Sequence, residues 1–181
     1  MQRSICLLLA LCSTLGLTLP VSAQAAGLLD WQPCPDVLAV ADAPEPEPDQ
    51  RWTFSFSPLV IHWAFDPEHK YALVTALERR VPGQRFCGIS VFRNSFGQAS
   101  SYVYAGQRWD NLWGFAHLSL KVSAGIIYGY TGEESSKVPL NWNGFSPGII
   151  PAFVYQLNTA ESLDVMVLGT AGVVLAYSRN F

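Results

Sequence analysis

From residue 52 onward, apolar and polar residues alternate with a period of two, and turn-forming residues interrupt the alternation at regular intervals. The pattern predicts eight strands, over 52–65, 70–79, 85–93, 100–109, 114–130, 148–157, 162–169 and 172–181. The fifth is the clearest. Ala116, Leu118, Leu120, Val122, Ala124, Ile126 and Tyr128 fall on one face, and His117, Ser119, Lys121 and Ser123 on the other. A wall with one apolar and one polar face suits a barrel with lipid outside. Eight antiparallel strands can close without leaving an edge, so the expected fold is an all-β, eight-stranded antiparallel transmembrane β-barrel. Pro58, Pro147 and Pro151 lie in or beside strands and mark places where pairing is locally weak, because proline has no N–H to give to the ladder. The chain ends in an aromatic residue, Phe181, as outer-membrane barrels commonly do, although Arg179 shares its face.

Composition agrees with this picture. The chain is 50% hydrophobic and 14% charged. Beyond the first residues, however, no apolar run reaches the roughly 20 residues of a membrane helix. A periplasmic β-sandwich is the plainer alternative.

The first residues read as a secretory signal. Arg3 supplies the positive region, 5–19 the apolar stretch, and Val21-Ser22-Ala23 a small-residue cleavage site, with cleavage after Ala23 or, as second choice, Ala25. Three regions follow: a signal over 1–23, a Pro-rich acidic periplasmic segment over 24–51, and the barrel over 52–181. The second region, with its run APEPEPDQ, is expected to be extended and solvated, with a short helical turn within 36–42. The exported chain keeps Cys34 and Cys87, which an oxidising compartment would let pair or which stay as two free thiols.

Six of the fourteen acids precede Arg51, and from Arg51 onward ten basic residues meet eight acidic ones. No basic patch of the kind that binds nucleic acid is present. No Cys/His/Asp set has metal-ligand spacing and no Gly-rich phosphate loop occurs, so neither a metal nor a cofactor is expected.

Strand parity sorts the connections. With the acidic segment and the C-terminus both periplasmic, those at 66–69, 94–99, 131–147 and 170–171 face outward. Those at 80–84, 110–113 and 158–161 face the periplasm. The outward set carries Asn94 and Ser95, with His62 just below the 66–69 turn.

His62 and Ser95 form the pair with chemical potential. A serine hydroxyl is a weak nucleophile until a base takes its proton, and histidine titrates in the right range. Asn94, Asp66 or Glu68 could orient the imidazole. His69 is a competing base, and His117 is expected to join an interior polar network with Lys121. Backbone amides of the 94–97 turn could steady an oxyanion. Arg93, Lys70, Arg79 and Arg108 could contact lipid phosphates, and Glu133-Glu134 read as the solvated tip of a long outer loop.

Three stretches carry a family resemblance. They are SPLVIHWAFD (57–66), FRNSFGQASSYVYAG (92–106) and GFSPGIIPAF (144–153). On these the chain resembles the outer-membrane lipid A palmitoyltransferases (PagP), as a divergent branch with Asn-Ser where better-known members have Asp-Ser. The resemblance implies an acyltransferase that moves a palmitoyl chain from a phospholipid donor to a lipid A acceptor in the outer leaflet. Its histidine, acid and serine correspond to His62, Asn94 and Ser95. Asn94 cannot ionise, so it can orient an imidazole only by hydrogen bonding. The third stretch resembles the proline-broken strand through which lipid is thought to enter sideways. The resemblance further implies an apolar interior that holds and measures an acyl chain, with Gly88, Gly106, Gly125 and Gly129 leaving room in the wall. Whether Ser95 is acylated, or only positions and polarises the reactants, stays open. The protein is expected to work as a monomer in the cell outer membrane. A structural or adhesive barrel and a narrow pore are the two rival readings.

Overall fold

The computed structural model describes residues 31–64 and 72–181. The expected signal over 1–23 and the residues Asp66, Glu68, His69 and Lys70 lie outside these.

Eight strands form one closed antiparallel barrel in sequence order. They are β1 (Trp52–His62), β2 (Val74–Val81), β3 (Arg85–Arg93), β4 (Ala99–Trp109), β5 (Leu118–Tyr128), β6 (Phe145–Gln156), β7 (Glu161–Val167) and β8 (Gly172–Asn180). The barrel closes through β1 and β8, where Thr53 pairs with Asn180 and His62 with Gly172. β5 has 11 residues. At about 3.3 Å per residue and a tilt of about 40°, such a strand covers about 28 Å, the height of a bilayer's hydrocarbon core.

The two faces of the wall are inverted relative to a water-soluble protein. Ser55, Ser90, Ser119, Ser123, Asp164 and Ser178 are buried inside, while Ile89, Val91, Val103, Ile126, Ile149 and Leu163 are exposed outside. Exposed aromatics flank the aliphatic belt. Trp63, Tyr128, Trp142 and Phe145 stand toward one end, and Trp109, Trp113, Phe115 and Tyr155 toward the other. Such a belt with two aromatic girdles is the surface of a barrel built for lipid.

Several strand limits differ from those expected. β5 begins at Leu118 rather than at 114, although the alternation starts earlier. Asn111, Trp113 and Gly114 all take positive φ, which ends any extended run there. β6 starts at Phe145, three residues earlier than expected, and continues through both Pro147 and Pro151. It pairs with β5 along its length, but with β7 only from Ala152↔Met166 onward. Its first half is therefore an edge toward β7, which is where a sheet tolerates proline. β2 starts at Val74, and the β1–β2 register ends at Ser57↔Val74. Among the described residues the ladder thus stops short on two sides of the same end of the barrel.

Pro58 marks a third irregularity. The β1–β8 register runs Phe56↔Tyr177 and then Leu59↔Leu175, so β1 spends three residues where β8 spends two. This one-residue bulge is held by Ser57, whose Oγ donates toward the Leu175 carbonyl (2.6 Å) and accepts from Leu59 N (3.2 Å). A bulge reverses the parity of the residues beyond it. Thr53, Ser55 and Ser57 point inward before it, whereas Leu59 and Ile61 point out after it.

Over its described residues, 31–51, the acidic segment is mostly exposed, as expected, with 3-10 turns at Asp36–Leu38 and Pro48–Gln50. It is also tethered. Cys34 and Cys87 form a disulfide with Cα atoms 5.5 Å apart, and Val40 N donates to the Pro82 carbonyl. Gly83 (φ +86°) turns the β2–β3 hairpin against Val40, where a Cβ would clash.

The glycines of the wall do not leave open space. A Cβ on Gly88 would meet the Tyr104 ring at 2.9 Å, and one on Gly106 would meet the Phe86 ring. These two rings pack edge to face with centroids 6.3 Å apart. A Cβ on Gly125 would meet the backbone of Val103 and Tyr104, and Gly129 lies beyond the end of β5 against Ser100. The missing side chains make room for aromatic side chains and close backbone approach.

Candidate functional site

His62 ends β1, and Ser95 lies in the turn that joins β3 to β4. His62 Nε2 and Ser95 Oγ share a hydrogen bond of 2.6 Å. In unbroken alternation the same residues would place His62 on the outward face of Phe54 and Phe56, and the bulge at Pro58, by taking up one residue, turns it inward.

The turn carrying Ser95 is built around Asn94, which is 2% exposed. Asn94 Oδ1 accepts from the backbone N–H of Phe96 (3.1 Å) and of Gln98 (2.9 Å). Its Nδ2 donates to Gln98 Oε1 and to the Gly129 carbonyl, both at 3.4 Å. None of these bonds reaches His62. Asn94 therefore shapes the loop and does not orient the imidazole. Gln98 extends the work of Asn94, donating from Nε2 to the Thr131 carbonyl (3.0 Å) and accepting from Thr131 N (3.2 Å). Together they fasten the Ser95 turn to the long β5–β6 connection. Nothing in the alternating pattern singles out Gln98, because a polar residue after a turn is ordinary.

The same bonds decide which amides of the turn can serve an oxyanion. Asn94 N donates to Gln98 O and Gly97 N to Asn94 O, while Phe96 N is held by Asn94 Oδ1. The Ser95 amide is the one remaining N–H of 94–97 without a partner in the turn.

Beneath the pair lies a cavity of about 140 Å³ inside the barrel. Its walls are mainly apolar and include Val60, Val74, Phe92, Ile150, Met166 and Val174, and Asn94 and Ser95 stand on its lining. The floor is charged. Lys121 Nζ donates to Glu78 at 2.6 and 2.9 Å, and Tyr104 Oη donates to Glu78 Oε1 at 3.1 Å. Asp164 Oδ2 is 4.0 Å from Lys121, and Ser162 and Ser178 donate to its carboxylate. Lys121 also sits 4.9 Å from the centre of the Phe86 ring. The interior is thus apolar at the Ser95 end and ionic in the middle.

Other residues singled out in the sequence stand elsewhere. His117 is exposed in the turn before β5, with its ring 6.3 Å from that of Tyr155 on the outer wall, so it takes no part in the Lys121 network. Arg79 is 1% exposed and stacks over Trp52. Arg108 lies inside the opposite end, bonded to Asp110 at 2.5 Å. Arg93 is exposed beside the Ser95 turn. Glu133 and Glu134 lie on the 3-10 turn Gly132–Lys137 of the long loop. Tyr130, in the same connection, has its hydroxyl pKa raised by burial. Among the described residues no three His, Cys, Asp or Glu side chains converge as metal ligands would.

Comparison with family models finds no match. No curated protein matches the chain either. Among solved structures the chain is similar to one described as "De novo design of transmembrane beta-barrels", with a TM-score of 0.52 and 14% identity. The match covers 76% of this chain and 100% of the designed one. At that identity the likeness is one of fold.

Proposed function

We propose that the chain is an outer-membrane acyltransferase that moves a palmitoyl chain from a phospholipid to lipid A, as its resemblance to the lipid A palmitoyltransferases implies. The observation that carries this reading is the 2.6 Å contact of His62 Nε2 with Ser95 Oγ at the mouth of an apolar cavity. A nucleophile and base in hydrogen-bond reach, above a mainly apolar cavity, suit transfer of a fatty acyl group.

In the proposed reaction Ser95 Oγ attacks the carbonyl carbon of the donor ester as its proton passes to His62 Nε2. The ester C–O bond breaks, and the departing lysophospholipid alkoxide takes that proton. A lipid A hydroxyl then gives its proton to His62, forms the new ester, and Ser95 leaves reprotonated. The Ser95 amide supplies the oxyanion with a donor, a contribution typically of about 3 kcal/mol. The β6–β7 ladder stops short at the Ser95 end, leaving the first half of β6 unpaired on that side, and a lipid chain would pass through the wall there.

The charged floor and the apolar upper half speak against a narrow pore, which needs a continuous polar path. In this orientation Ser95 faces the cell exterior, and the Cys34-tethered segment faces the periplasm.

The test is mass spectrometry of lipid A from cells with and without the protein, beside a Ser95→Ala version. The expected result is a mass gain of one palmitoyl group that vanishes with Ser95→Ala. Unchanged lipid A despite a folded barrel would overturn the reading in favour of a structural or adhesive barrel.

A further inference from the structure

At the end opposite Ser95, three guanidinium groups meet around a second cavity, of about 220 Å³. Arg80 is next to last in β2, Arg85 begins β3 and Arg108 lies near the end of β4, and all three line it. The tethered segment forms part of its wall through Pro44, Glu45, Pro46 and Gln50. Lys121, Glu78 and Asp110 complete the charged lining.

These charges are unequally matched. Glu78 is held by Lys121 at 2.6 Å and Asp110 by Arg108 at 2.5 Å. Arg80 makes one hydrogen bond, from Nη2 to the neutral Asn180 Oδ1 at 3.1 Å. Arg85 makes two long ones to neutral oxygens, Gln107 Oε1 at 3.3 Å and Leu38 O at 3.4 Å. Glu45 lines the cavity but forms no ion pair with either arginine. Each guanidinium carries five N–H donors in a planar fork. Two such forks, each without a carboxylate, therefore border a space that holds several water-sized groups.

We propose that this cavity binds a phosphate-class oxyanion, with Arg80 and Arg85 as its principal donors. Arginine forks match phosphate oxygens two at a time, and the bond is strengthened by charge on both partners. The cavity opens within the barrel end rather than on its lipid-facing wall, which suits a free phosphate or phosphate monoester. A phospholipid headgroup has the same chemistry and is the second source. The exposed Glu45 is placed to compete with the anion, so removing its charge tightens binding. None of this depends on acyl transfer at the other end.

The experiment uses the full chain folded in a maltoside detergent, which carries no phosphate. Inorganic phosphate is titrated calorimetrically, and dihexanoyl phosphatidic acid is titrated in parallel, each against the native protein, Arg80→Gln and Arg85→Gln. Folding is verified by the heat-dependent gel mobility of the barrel, and Arg85→Gln carries the test where Arg80→Gln does not fold. The expected result is saturable binding of inorganic phosphate, weakened at least about tenfold by loss of one charge-assisted donor group. Binding of phosphatidic acid alone, with the same dependence on arginine, would identify a headgroup as the source. Binding of neither, or binding that a folded variant leaves unchanged, overturns the proposal. So does equal loss of phosphate binding in Arg179→Gln, because that residue lies on the outer wall and reports only general charge.

Discussion

His62 Nε2 lies 2.6 Å from Ser95 Oγ because the bulge at Pro58 takes up the one residue by which β1 exceeds β8 there. Relative to unbroken alternation the bulge turns the following side chains over, so that Val60 and His62 face inward and Leu59 and Ile61 the outer wall.

This relationship makes a specific demand on deletions and insertions. Deleting Pro58 removes the extra residue, leaves the Leu59↔Leu175 register intact and keeps His62 inward. Lipid A modification is expected to survive that deletion. Inserting one serine between Val60 and Ile61 turns His62 outward, and activity should fall as far as in Ser95→Ala. Mass spectrometry of lipid A checks both, and loss of activity in the Pro58 deletion with a folded barrel would sink the parity account.

Asn94 is expected to behave as a loop anchor. Asn94→Ala leaves the half-buried amides of Phe96 and Gln98 without their acceptor, at about 1 kcal/mol for each. The Ser95 turn should then open to limited proteolysis. Asn94→Asp keeps the two amide bonds but sets a carboxylate against the Gly129 carbonyl, where Nδ2 now donates. Transfer should therefore not rise above the native rate in Asn94→Asp. A large gain would mean that residue 94 reaches His62 during turnover.

The ionic floor should show strong coupling. Lys121→Met leaves Glu78 buried without its cation, and breaking one side of a buried pair typically costs about 3–5 kcal/mol. Adding Glu78→Gln should recover most of that loss. Urea unfolding in lipid vesicles measures the cycle, and strictly additive losses would contradict the pairing.

Asp110 provides a dependence on pH outside the membrane-spanning strands. Burial by itself would raise its carboxyl pKa, but hydrogen bonds from Ser119 and Arg108 and the charges of Arg108 and Arg80 outweigh that effect. Together they hold it below its ordinary 3.8. A carboxyl depressed on folding stabilises the barrel above its unfolded pKa, and the contribution is lost as pH falls through the folded value. Stability of the native barrel should therefore drop on acidification below about pH 4. Asp110→Asn should flatten that part of the curve, as thermal unfolding followed across pH would reveal.

The sequence by itself determined the barrel. Period-two alternation with lipid outside fixes the facing of a regular strand, so eight strands, their order and the inward placing of Ser119, Lys121 and Ser123 on β5 were legible, while His117 was not. It also brought Ser95 and His62 into view, because few residue types can serve as nucleophile and base. Other features were decided only by tertiary structure. Alternation counted from Thr53 sends His62 outward, and a one-residue bulge is visible only once β1 is laid against β8. Asn94 looks like a partner for histidine because it stands next to Ser95. Its side chain nevertheless turns to the half-buried amides of Phe96 and Gln98 in its own loop, which need an acceptor. The glycines read as open space until the rings of Tyr104 and Phe86, coming from neighbouring strands, fill it. Arg80 and Arg85 fall five residues apart in an unremarkable hairpin. Their shared cavity exists only because barrel closure brings Arg108 and the tethered segment around the same opening.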